Sequence, residues 1–232
     1  MTRLQHNYQS VLDEIALVEH EAGRFSGSVQ LIAVSKTFST TDIREVYAAG
    51  QRDFGENYIQ EWFEKTDELA DLPNIIWHII GNVQSNKTKF VAECAHWVHT
   101  IDSVKVARRL SEQRPATVPP LQVCIEVNIA AESNKHGVAP DAVLALVQQV
   151  TQLPNLTVRG LMCVPQAGAP DNILRQQFSQ MQTLLVTCQN QGFPLDVLSM
   201  GMSADMDTAI ACGSTHVRVG SAIFGKRDNT IK

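Results

Sequence analysis

A chain of 232 residues with 44% hydrophobic and 19% charged residues has the make-up of a soluble globular protein with one large core. Its formal charge is −5 and no run of Lys or Arg forms a stripe, which argues against nucleic acid as a partner. No apolar run approaches the roughly 18 residues that a membrane span needs.

The N-terminal segment, residues 1–8, is polar and lacks the apolar core of a signal sequence, so a cytoplasmic location is expected. Cys94, Cys124, Cys163, Cys188 and Cys212 stand far apart with no Cys-x-x-Cys pair. They read as free thiols of a reducing compartment, not as a metal site.

Residues 3–20 predict a helix, with Leu4, Val11, Ile15 and Val18 on one face. A Gly/Ser break follows, and the apolar run 29–34 predicts a buried strand that ends on Ser35 and Lys36. Ser39 to Asp42 can cap the next helix, 41–49, which stops at Gly50. The alternation then repeats. Strands are expected at 53–55, 75–80, 97–101, 121–129, 156–164, 195–200 and 215–219. Helices are expected at 58–70, 84–94, 103–113, 140–152, 171–190 and 203–212.

Eight strands alternating with helices predict a parallel sheet, and the length suits closure. The expected fold is an α/β single (β/α)8 TIM-type barrel, residues 29–225, with an extra N-terminal helix within residues 1–25. No linker or second domain is evident in 1–232. Function in such barrels collects at the C-terminal ends of the strands.

Those ends carry four candidate segments. Lys36 closes strand one, where a partly desolvated amine would attack aldehydes; the plain alternative is a solvated lysine. Gly201, Met202 and Ser203 follow strand seven, with Ser203 a candidate helix N-cap over an anion site, although Asp205 and Asp207 would repel an anion. Arg218 and Gly220 share the inward face of strand eight, and Ser221 adds further donors. An inward arginine needs an anion or an acceptor. His78 lies on strand three before the polar turn Gln84 to Lys87; a lone strand histidine is more often a satisfied core residue.

Together these segments resemble the pyridoxal phosphate homeostasis protein family, whose barrel is like the N-terminal domain of alanine racemase. The matching pieces are Ala33 to Thr37, Phe54-Gly55-Glu56-Asn57-Tyr58, Trp77-His78, Gln84 to Lys87, Arg159 to Met162, Ser199 to Met206 and Val217 to Gly225. Two positions depart from the usual pattern: the turn Gly81 to Gln84, and Ser221 where threonine is common. The resemblance implies pyridoxal 5′-phosphate (PLP) as cofactor, with Lys36 as the internal-aldimine lysine. It implies phosphate binding by the Met202–Ser203 and Gly220–Ser221 turns, and Arg218 by the pyridine nitrogen. Asn57 and His78 are then expected in or near the pocket.

An arginine can only donate to the ring nitrogen, which leaves that nitrogen unprotonated and favours holding PLP over carbanion chemistry. Racemisation also needs a second acid/base opposite Lys36. Alanine racemases take theirs from a second domain of a partner subunit, which is not expected here. The only tyrosines are Tyr8, Tyr47 and Tyr58. The expectation is a monomeric PLP carrier without substantial racemase activity, with PLP, other B6 vitamers and PLP-dependent client enzymes as partners. The rival is a racemase-like PLP enzyme acting on another amino acid, with a lid from Asn128 to Gly137 that carries Lys135 and His136. A weaker rival uses Lys36 for aldolase chemistry without PLP.

Overall fold

A computed structural model describes residues 1–132 and 135–225. Ser133 and Asn134 of the expected lid, and residues 226–232 of the expected domain, lie outside the described residues. Eight parallel strands close into a barrel in sequence order, with the eighth pairing the first. They are β1 (Gln30–Val34), β2 (Asp53–Glu56), β3 (Ile76–Ile79), β4 (Trp97–Ile101), β5 (Leu121–Val127), β6 (Leu156–Cys163), β7 (Val197–Met202) and β8 (His216–Val219). The helices are α1 (Arg3–Glu21), α2 (Thr40–Ala48), α3 (Ile59–Glu68), α4 (Thr88–Cys94), α5 (Val104–Gln113), α6 (Val143–Val150), α7 (Asp171–Asn190), α8 (Met206–Ala211) and α9 (Ser221–Phe224). No helix of the described residues is long and apolar enough to cross a membrane.

The outward faces of the strands pack against the helices. Phe54, Ile43, Val46, Trp62 and Leu121 are fully buried in that layer. The added helix α1 packs against α2, α8 and α9. It begins with a reciprocal cap in which the Thr2 hydroxyl accepts the Gln5 N–H and the Gln5 side chain accepts the Thr2 N–H. Ser39 and Asp42 make the same device at α2, directly after the Lys36 loop.

Most elements fall within a few residues of expectation, and three differences bear on the C-terminal ends of the strands. Helix α4 begins at Thr88, because Gln84 to Lys87 close a turn in which Lys87 N–H donates to Gln84 O. Ser85 and Asn86 are residue types that favour such turns over helix. Helix α8 begins at Met206, and its cap residue is Asp205, not Ser203. Gly201 adopts φ +95°, and the Asp205 carboxylate reaches back 2.6 Å to the Met202 N–H, so the chain spends these residues on a turn. The short helix α9 after β8 is not foreseen by the pattern.

The barrel interior is polar through its middle. His78 of β3, His99 of β4, Ser199 of β7 and Arg218 of β8 are all buried, and they bond to one another. Strand β4 is no neighbour of β7, so the His99–Ser199 bond crosses the inside of the barrel. Trp97 forms an apolar layer with Cys124, Met162 and Val197.

Candidate functional site

A cavity of about 790 Å³ opens at the C-terminal ends of the strands. Lys36 of the β1 end, Asn57 after β2, Met202 and Ser203 at the β7 end, and Arg218, Gly220 and Ser221 of the β8 end line it. Closure makes this convergence: β7, β8, β1 and β2 are consecutive around the barrel, with Met202 beside Arg218 and Ile32 beside Arg218 on the other edge. Val34, Phe38, Ile80 and Val164 supply apolar wall. Seven of the eight residues read from the sequence as site residues therefore meet at one cavity.

Backbone approach shapes the cavity. A Cβ on Gly220 would stand 3.1 Å from the Val34 carbonyl oxygen, so strand eight lies close against the strand that carries Lys36. A Cβ on Gly81 would stand 2.1 Å from the Asn57 carbonyl oxygen, which no side chain permits. The β3 turn thus presses on the backbone of Asn57. The Asn57 amide oxygen is buried and has no hydrogen-bond partner among the described residues.

A buried charged cluster holds the residues on either side of Lys36. Lys65 of α3 donates to Ser35 O at 2.8 Å, Glu56 Oε1 at 2.8 Å and Glu61 Oε1 at 2.6 Å. The Ser35 hydroxyl donates to the same Glu56 oxygen at 2.7 Å. The Thr37 N–H donates to Glu61 Oε1 at 2.6 Å. Burial pushes the Glu56 carboxyl up against the pull of Lys65, in keeping with its second oxygen having no partner among the described residues.

Arg218 is buried and aimed by two acceptors, with Nη1 donating to Ser199 Oγ and Nη2 to Cys163 O, each at 2.8 Å. Burial pushes its guanidinium down from the usual range. At the β7 turn, the Met202 N–H is taken by Asp205, whose carboxyl burial pushes up. Ser203 and Ser221 are exposed at the rim. The first N–H groups of α9, which starts at Ser221, have no acceptor within that helix.

His78 is the candidate that does not line the cavity. It is fully buried, with Nε2 bonded to Asp53 Oδ1 and Nδ1 to His99 Nε2, each at 2.9 Å, and its ring lies on Trp97. Burial pushes its imidazole down. None of the tyrosines lines the cavity either: Tyr8 donates to Gln51 Oε1 and Tyr47 to Pro73 O, and Tyr58 is exposed at the start of α3. Lys135 pairs with Glu132 and donates to Pro165 O, while His136 faces Asn82.

The sequence reading missed Phe38, Ile80 and Val164 on the wall, and the pairing of Lys65 with Glu56. Burial pushes the Glu126 carboxyl up to about 7. Two-residue periodicity could have found Ile80 and Val164, which continue the inward faces of His78 and Met162.

Comparison with known proteins matches residues 3–228 to the family described as alanine racemase, N-terminal domain. The Pyridoxal phosphate homeostasis protein of Pseudomonas aeruginosa is 49% identical over 228 residues, covering 98% of this chain and 97% of that one. This chain belongs to that family. The homologue of the same name from Escherichia coli K12 is 43% identical over 237 residues and matches along 100% of both chains. Among solved structures, PipY of Synechococcus elongatus PCC7942 with PLP bound superposes with a TM-score of 0.80 at 38% identity, covering 91% of this chain and 100% of that chain. Alanine racemase of Corynebacterium glutamicum shares the fold at 16% identity, with a TM-score of 0.74, over 99% of this chain and 63% of that one.

Proposed function

We propose that this chain binds pyridoxal 5′-phosphate as a Schiff base on Lys36 and takes part in intracellular vitamin B6 homeostasis. The observation that carries the proposal is one cavity wall that joins Lys36, Arg218 and the Ser203 and Gly220–Ser221 turns. Relatives that match along nearly the whole chain bear the homeostasis name, and PipY binds PLP in its structure.

The residues present fit the group. The cavity has apolar walls for a flat ring, an amine at one side, a guanidinium with fixed direction, and an Asn57 amide oxygen that lacks a partner among the described residues. When bound, PLP supplies an electron sink for amino-acid chemistry. Lys36 provides the amine for the aldehyde. Ser203, Ser221 and the backbone N–H groups of the β8 turn hold the phosphate. Val34 and Ile80 exclude water from the ring. Arg218 would donate a hydrogen bond toward the ring nitrogen and keep its own proton, so that nitrogen would stay unprotonated. With the tyrosines elsewhere, the described residues of the lining include no second acid/base opposite Lys36, which favours holding the cofactor over turning over alanine. Its clients would be enzymes that take up PLP.

Borohydride reduction of the PLP-loaded protein followed by peptide mass spectrometry tests this. The phosphopyridoxyl adduct is expected on the peptide that contains Lys36, and Lys36→Ala should lose the bound-cofactor absorbance while keeping its helical signal. Adduct on Lys87 or Lys135 in its place overturns the assignment.

A further inference from the structure

The buried polar contacts form one unbroken chain through the barrel. Asp53 begins β2 at the end opposite the cavity, with its side chain 14% exposed. Its Oδ1 meets His78 Nε2, His78 Nδ1 meets His99 Nε2, and His99 Nδ1 meets Ser199 Oγ, all at 2.9 Å. Ser199 Oγ accepts from Arg218 Nη1 on the cavity wall. The other Asp53 oxygen accepts from Gln30 Nε2 at 2.8 Å.

The protons in this chain are fixed by its lower end. A carboxylate can only accept, so His78 Nε2 carries the proton and Nδ1 is left as acceptor. His99 must then donate from Nε2 and accept at Nδ1 from the Ser199 hydroxyl. The Ser199 lone pairs are thereby turned to Arg218. Burial keeps both imidazoles neutral, as this arrangement requires, and pushes His99 well below its usual range.

We infer that Asp53, His78, His99 and Ser199 are positioning residues that act together as a one-way relay and set the direction of Arg218. The relay carries orientation and not a proton to the cavity, because it ends on a guanidinium that stays charged. Two neutral rings also place the charges of Asp53 and Arg218 at opposite ends of the interior without a buried ion pair. The inference rests on the reading that Arg218 faces the ligand ring, and it reassigns His78 from contacting the cofactor to aiming the residue that does.

Nitrogen-15 spectra of histidine-labelled protein without cofactor test the relay directly, with PLP titration as the second arm. In the wild-type protein, His78 and His99 should both carry the proton on Nε2. Asp53→Ala should remove that preference at His99, two links away, and weaken PLP binding about fivefold, the size of one lost hydrogen bond. Asp53→Asn keeps an acceptor oxygen and should stay within about twofold. A proton on His99 Nδ1 in the wild-type protein overturns the relay whether or not any variant folds. An unchanged His99 tautomer in Asp53→Ala overturns it as well. Absence of PLP binding by the wild-type protein would defeat the proposed function instead, and leave the tautomer spectrum to decide the relay.

Discussion

Two buried polar systems reach the cavity from different sides, and they differ in charge. Between β1, β2 and α3, Lys65 gathers Glu56, Glu61 and Ser35 O within 2.8 Å and flanks Lys36. Inside the barrel, two neutral histidines and a serine link Asp53 to Arg218. The first clamps backbone on both sides of the amine. The second aims a side chain. An ionic cluster suits the first task because one ammonium can hold three acceptors at once. A chain of single donors and acceptors suits the second because each link fixes the direction of the next.

The contrast breaks most sharply at Lys65. Lys65→Met leaves Glu56 buried without its cation, and the loss should be about 3–5 kcal/mol of folding stability. Urea denaturation measures it. Adding Glu56→Gln to that variant should recover a large part, since the uncompensated charge, not the missing contact, is the main cost. A loss below about 1 kcal/mol would mean that the cluster is solvated in solution, as an ordinary surface pair is.

The neutral side is sharpened by acid. His216 begins β8, its ring 5.4 Å from that of Trp97, and burial pushes it down to about 4 from 6.5. A histidine lowered by folding binds fewer protons in the native state than in the unfolded chain. Its contribution is therefore complete above about pH 6.5 and is lost as pH falls toward 4. By pH 5.5 the loss should be about 1 kcal/mol. Urea midpoints at pH 7.5 and 5.5 should separate in the wild-type protein and draw together in His216→Gln. An equal separation in both would place the acid sensitivity elsewhere, with His99 the next group to examine.

The barrel and most of its rim were legible because both rest on local pattern. Strands buried on two faces read as short apolar runs, and closure places their C-terminal ends side by side. Lys36 at the end of such a run and Arg218 alternating with Gly220 therefore fell together. What escaped depends on contacts that no local pattern carries. His99 and Ser199 are 100 residues apart and touch only across the closed interior. Lys65 sits four residues after Glu61, which reads as an exposed helix pair, yet it is 5% exposed because α3 lays it on Ser35. Ser203 looked like a cap because its residue type favours one, but Asp205 two positions on closed the turn first.

The smallest effect lies at the edge of the charged cluster, where Thr37 adopts φ 66°. A β-branched residue in the left-handed region costs roughly 1–2 kcal/mol, and glycine does not. Glycine also frees the unfolded chain, which returns about 0.5–1 kcal/mol of that gain. Thr37→Gly should therefore raise stability by no more than about 1 kcal/mol. It keeps the N–H that Glu61 accepts, so the clamp on the Lys36 loop should survive. Urea denaturation beside PLP titration separates the two consequences. Higher stability with unchanged affinity means that Glu61 holds the loop through its backbone alone. A fall in affinity at higher stability means that the threonine side chain, and the stiffness it imposes beside Lys36, helps to hold the amine in place.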